Sequence, residues 1–139
     1  MQQMTQRYLN HLTYEIIGAA IDVHKELGPG LLDQVYESCL DHELKRRHFN
    51  IARQQPVPIQ YKGCTLETNL RFNLLVEDSI ILELKAVEAM LPVFEAQLIS
   101  YMHLLGKPKG ILINFWCLNI CRDGQKTFVN DIFRKLPKI

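Results

Sequence analysis

Apolar residues recur along the first part of the chain at helical spacing. Leu12, Ile16, Ala20, Val23 and Leu27 step by three or four and form one face of a helix. Asn10 or Thr13 supplies a start, and Gly28-Pro29-Gly30 supplies the stop. A second helix is expected from Leu31 to His48, with Leu32, Val35, Tyr36, Cys39 and Leu40 as its stripe. Its last turn carries Lys45, Arg46, Arg47 and His48, cations that suit a helix C-terminus. The pattern then changes to extended chain. Gln55 to Tyr61 alternates but holds two prolines, which places it at a sheet edge, and Lys62-Gly63 reads as a turn.

Two apolar runs follow, Leu66 to Val76 and Ile80 to Val87, separated by Glu77-Asp78-Ser79. A three-residue loop pairs Val76 with Ile80, Leu74 with Leu82, Phe72 with Leu84 and Leu70 with Ala86, all apolar. A two-residue loop would set Phe72 against Glu83. Hydrophobic matching selects the first register. That register places Asn73 opposite Glu83, with Lys85 on the same face. Pro92 opens a third helix running to about Leu105, ended by Gly106-Lys107-Pro108. Gly110 to Phe115 reads as a buried strand, and Asp123-Gly124 as the turn of a last hairpin joining Leu118–Cys121 to Thr127–Val129. No repeat or linker divides the chain, so residues 1–139 read as one α/β domain with a mixed sheet flanked by helices.

Composition narrows the function. Of 139 residues 47% are hydrophobic and 22% charged, enough for a packed core. The formal charge is +1, which excludes a strongly basic nucleic-acid binder but not a local basic face from Arg46, Arg47, Lys62, Arg71 and Lys107. No apolar run reaches membrane-spanning length, and the polar stretch Met1 to Arg7 lacks the core of a signal peptide, so a cytoplasmic location is expected. Cys39, Cys64, Cys117 and Cys121 lack zinc-site spacing and read as ordinary reduced cysteines.

Glu83-Leu84-Lys85 is the sharpest chemical feature. A carboxylate and an ammonium on one face of an apolar strand are expensive to bury. The plain alternative is an exposed ion pair in a mixed α/β domain of no special chemistry. Ile81 and Val87 make that face apolar, however, and Asn73 converges on it.

Gly30-Leu31-Leu32-Asp33-Gln34-Val35-Tyr36 resembles the motif that names the GxxExxY proteins, a group within the PD-(D/E)XK nuclease superfamily. The likeness takes in Val23 to Gly30, Leu74 to Asp78, Ile81 to Glu88, Glu95 to Leu98, Tyr101 and Leu112 to Phe115, in order. It implies a restriction-endonuclease-like α-β-β-β-α-β core, here with an extra N-terminal helix and a C-terminal hairpin. It also implies phosphodiester cleavage dependent on Mg²⁺ or Mn²⁺, with nucleic acid as partner, DNA before RNA. Carried onto this chain, the metal residues are Asp33, Asn73, Glu83 and the Leu84 carbonyl. Lys85 would orient the attacking water. Gln97 and Tyr101 resemble the Gln-x-x-x-Tyr element of RecB-type nucleases, although they also suit plain helix-to-sheet packing. Two positions depart from the family. Asp33 stands where the family has Glu, and Glu37, one turn on, reaches the same side. Asn73 stands where the family has Asp and brings an amide oxygen without a charge. A nuclease weakened at its metal site is therefore the leading expectation. The alternative is a binding or assembly module that has kept the fold and lost the chemistry. Self-association is left open.

Overall fold

Residues 3–139 are described by a computed structural model of the chain; Met1 and Gln2, part of the polar N-terminal stretch, lie outside them. Helix α1 spans Gln6–Leu27, one to two turns longer at its start than Asn10 or Thr13 implied. Thr5 is the reason: its hydroxyl accepts from the Tyr8 amide and caps the helix. Helix α2, Asp33–Arg46, is shorter than expected at both ends. Strands β1 (Ile51–Arg53), β2 (Ile59–Tyr61), β3 (Cys64–Leu66), β4 (Leu74–Val76) and β5 (Ile80–Lys85) follow. Helix α3 is Pro92–Leu105, β6 is Lys109–Asn114, β7 is Gln125–Val129, and a short α4, Asp131–Arg134, comes last.

Five strands form one mixed sheet in the order β1-β4-β5-β6-β7, with β5 and β6 parallel and the other pairs antiparallel. Leu74, Val76, Ile80, Leu82, Leu84, Ile111, Ile113 and Phe115 pack on α1 and α2. Leu75, Ile81 and Leu112 pack on α3 through Leu98, Tyr101 and Met102. The architecture is the α-β-β-β-α-β layer of a restriction-endonuclease-like fold. A separate two-stranded arm, β2 paired with β3, leaves the sheet edge between β1 and β4.

The three-residue loop is present, with Val76 opposite Ile80 and Leu74 opposite Leu82. The ladder does not extend to Phe72 and Leu70 as expected. Both side chains pack on the α3 side instead, because the chain bends at Asn73 and the Asn73 side chain takes the Leu84 amide. The last hairpin is also corrected. Residues 120–124 form a π-helical turn rather than a strand, and β7 pairs with β6. The apolar edge of β6 is the longer template, and Asn119 caps the turn by accepting from the Arg122 amide. Strand β1 and helix α4 are further elements beyond those the sequence pattern implied.

The glycine-tyrosine motif between α1 and α2 has a clear mechanical role. Tyr36 is buried and stacks on Phe115, with ring centroids 4.3 Å apart and planes 7° from parallel. Its hydroxyl donates to the Gly28 carbonyl and accepts from the Leu31 amide. The turn, the start of α2 and the end of β6 are thereby held in one register.

Helix α3 crosses β6 at Gly110. A Cβ there would lie 2.8 Å from both Leu98 Cδ1 and Met102 Sδ. Gly110→Ala should destabilise the fold by about 1–3 kcal/mol through overpacking. Urea denaturation checks this, and an unchanged midpoint would mean that α3 lifts freely from the sheet.

Candidate active site

The bend before β4 brings three segments to one residue. The Asn73 carbonyl accepts from the Gln54 amide at 3.0 Å. Its backbone N–H donates to Glu83 Oε1 at 3.3 Å, and its side-chain oxygen accepts from the Leu84 amide at 2.7 Å. Its side-chain nitrogen donates to Glu37 Oε1 at 2.6 Å. The amide can point only this way: reversed, its oxygen would face a carboxylate and its NH₂ an N–H. Glu37 and Glu83 therefore lie on two sides of one asparagine.

Glu37 comes from the middle of α2, buried among Tyr36, Leu40 and Asp41. Its Oε2 accepts from Arg53 Nε at 2.8 Å, and its Oε1 also accepts from Gln54 Nε2 at 2.6 Å. Asp33, by contrast, is exposed at the first turn of α2, where Oδ1 accepts from the Gln34 amide at 3.0 Å. The structure thus brings Glu37, Asn73 and Glu83 together and leaves Asp33 as a helix-start acid, favoured there by the dipole. Glu37 was visible in sequence only as the neighbour one turn from Asp33. Arg53 and Gln54 carried no signal, because the strand that presents them is three residues long.

Glu83 is 5% exposed. Burial pushes its carboxyl up to about 7, against the opposing pull of the Asn73 N–H and of Lys85, while Glu37 adds to the rise. Lys85 is partly exposed, with its ammonium 4.5 Å from the centroid of the Phe94 ring. On α3, Gln97 Nε2 donates to the Tyr101 hydroxyl at 3.0 Å. Burial and the negative charge of Glu83 raise the Tyr101 phenol above its ordinary value, and Tyr101 packs with Leu75, Ile81 and Leu112 on the α3 face of the sheet.

Among the described residues no three His, Cys, Asp or Glu side chains gather as a ready metal cage. Mg²⁺ does not require one, since it keeps several waters and is held through one or two carboxylates. Glu37, Glu83 and the oxygens of Asn73 and Leu84 are hard donors of that kind. They fit such an ion weakly, because Glu37 is already paired with Arg53 and Asn73 adds no charge.

Three of the five cations expected to grip nucleic acid are paired with carboxylates, although Arg46 stays exposed. Arg47 pairs with Glu15, Asp22 and Glu43, Arg46 with Glu43, and Lys107 with Asp78. Arg71 and Lys62 are not paired with carboxylates in this way. Arg71 donates to the Gln54 carbonyl, close to the Asn73 bend, and Lys62 lies over Tyr61 at the tip of the β2–β3 arm.

The Glu83 carboxyl makes folding pH-dependent. Unfolded, it titrates near 4.5; folded, near 7. The folded state therefore holds the extra proton between those values. Stability is greatest below that window, declines as pH rises through it, and levels off above, with a total loss of roughly 3 kcal/mol. In chelator, wild-type protein should lose more stability between pH 5 and pH 8 than Glu83→Gln does. Equal slopes in denaturant melts would contradict it.

A family model, that of the PD-(D/E)XK nuclease superfamily, matches residues 10–127. Searches of curated proteins and of solved structures return no match.

Proposed function

The chain belongs to the PD-(D/E)XK nuclease superfamily, and on that premise we propose that it is a divalent-metal-dependent nuclease of low metal affinity, centred on Glu37, Asn73, Glu83 and Lys85. The observation that carries the reading is the convergence of Glu37 and Glu83 on Asn73 beside the Glu83-Leu84-Lys85 strand. The Gly30 to Tyr36 motif supports placing the chain with the GxxExxY proteins. The proposed substrate is nucleic acid, DNA before RNA, at a cytoplasmic location.

Glu37, Glu83, the Leu84 carbonyl and the Asn73 oxygen would hold Mg²⁺ or Mn²⁺. The chemistry such an ion supplies is acidification of a water and relief of charge on the phosphate. Glu83 must release its proton to become a ligand, so proton and ion would compete there and binding would weaken as pH falls. Lys85 lies at the partly exposed end of the same strand, where its ammonium would orient a water against the phosphate. Arg71 and Lys62 offer phosphate contacts leading away from the centre along the arm. A second reading, a non-cutting binding module, is favoured by the Arg53–Glu37 pair and the Asn73 amide, which together satisfy Glu37 without a metal.

Asn73→Asp separates the two. Its second oxygen would replace an N–H donor that now lies 2.6 Å from Glu37 Oε1, turning an attraction into a like-charge clash. Without metal the variant should be less stable than wild type and recover on adding Mn²⁺. Metal affinity should rise about tenfold or more, and cleavage of oligonucleotides should appear or increase. Asn73→Asp combined with Lys85→Ala should bind metal equally well and cut about 10²–10⁴-fold more slowly. If calorimetry finds no tighter binding and a panel of single- and double-stranded substrates stays intact, the binding-module reading takes its place.

A further inference from the structure

We infer that Arg53 is a two-position switch over the acidic centre, closing Glu37 at rest and shifting one helical turn to Asp41 when a divalent cation is taken up. This rests on the reading of Glu37 and Glu83 as cation ligands.

Arg53 ends β1 and faces the buried side of α2. Its Nε grips Glu37 Oε2 at 2.8 Å and one terminal nitrogen donates to Ser38 Oγ at 2.8 Å. The other terminal nitrogen stops 3.7 Å from Asp41 Oδ2, too far for a hydrogen bond. Asp41 is only 8% exposed, and Lys45 reaches its Oδ2 at 3.1 Å. Its Oδ1 is buried without a hydrogen-bond partner among the described residues. A buried carboxylate oxygen in that condition is a standing deficit. Glu37 and Asp41 are one turn apart on the same helix, within the sweep of one guanidinium. Arg53 therefore holds Glu37 tightly and Asp41 only loosely, at ion-pair distance and without a hydrogen bond.

A cation at Glu37 and a guanidinium at Glu37 compete for the same charge. Moving Arg53 to Asp41 resolves the competition and supplies the missing partner. Glu37 would stay in place, because Gln54 and Asn73 hold its Oε1 independently of Arg53. The pair is partly exposed, with 37% of the Arg53 side chain accessible, so release does not require opening the core.

The test is a double-mutant cycle read by Mn²⁺ calorimetry and by the electron paramagnetic resonance signal of bound Mn²⁺, on the full chain. Arg53→Gln should bind Mn²⁺ about five- to tenfold more tightly than wild type. Asp41→Asn should bind it about threefold more weakly, since Arg53 loses its second position. In the Arg53→Gln background, Asp41→Asn should leave the affinity nearly unchanged. An equal effect of Asp41→Asn in both backgrounds overturns the switch, as does failure of Arg53→Gln to tighten binding. Should Asp41→Asn not fold, Arg53→Lys replaces it. That variant keeps the charge but loses the fork, so its affinity should lie between wild type and Arg53→Gln, and weaker binding than wild type overturns the switch. Asn73→Asp tells the two proposals apart. If it tightens Mn²⁺ binding while Arg53→Gln does not, the switch falls and the metal centre stands. If neither variant does, the metal centre itself falls.

Discussion

Two carboxylates approach one another in the interior of this sheet because an uncharged amide stands between them. Asn73 gives its N–H groups to Glu37 and Glu83 and takes the Leu84 and Gln54 amides in return. Helix α2, the segment following β1, and the end of β5 are tied at that residue. An aspartate could keep the bonds to Leu84 and Gln54 but not the one to Glu37, since a carboxylate facing a carboxylate needs a cation or a proton between them. The asparagine makes the arrangement self-sufficient. Strand geometry, helix position and local charge balance all follow from that substitution of a donor for an acceptor.

Charge elsewhere is arranged in the same spirit. Arg47 gathers three acids from α1 and α2, and Arg53 serves α2 from the sheet side. Such pairs on a protein surface contribute little stability individually, but networks fix how helices sit on one another. They also take up Arg46, Arg47 and Lys107, three of the five cations expected to meet a polyanion. Arg71 and Lys62, the other two, lie close to the Asn73 bend and on the arm beyond it.

The sequence was most legible where a single physical rule dominated. Hydrophobic pairing across Glu77-Asp78-Ser79 determined the hairpin register, because a slip by one residue would have buried polar side chains. Pro92 and Gly106 marked both ends of α3. Local rules failed where tertiary choices competed. Asp123-Gly124 has a hairpin signature, yet the open edge of β6 captured β7 directly. Asn73 was legible as the partner of Glu83, but not as the residue that ends the β4 ladder, since that depends on its side chain bonding across the strand. Glu37 was overshadowed by Asp33 because spacing along a helix says which residues share a side, not how far into the interior the helix is pushed.

The stack of Tyr36 on Phe115 joins parts of the chain that are distant in sequence. A contact of that range carries a large loop-closure cost, so both of its ends must be well packed, and Tyr36 and Phe115 do lie in one buried cluster. Glu37 follows Tyr36 directly on α2, so the stack that fixes the one also fixes the approach of the other to Asn73. The acidic centre thus leans on an aromatic contact that contains no acid, and a change that loosens Phe115 would reach Glu37 through a single neighbouring residue.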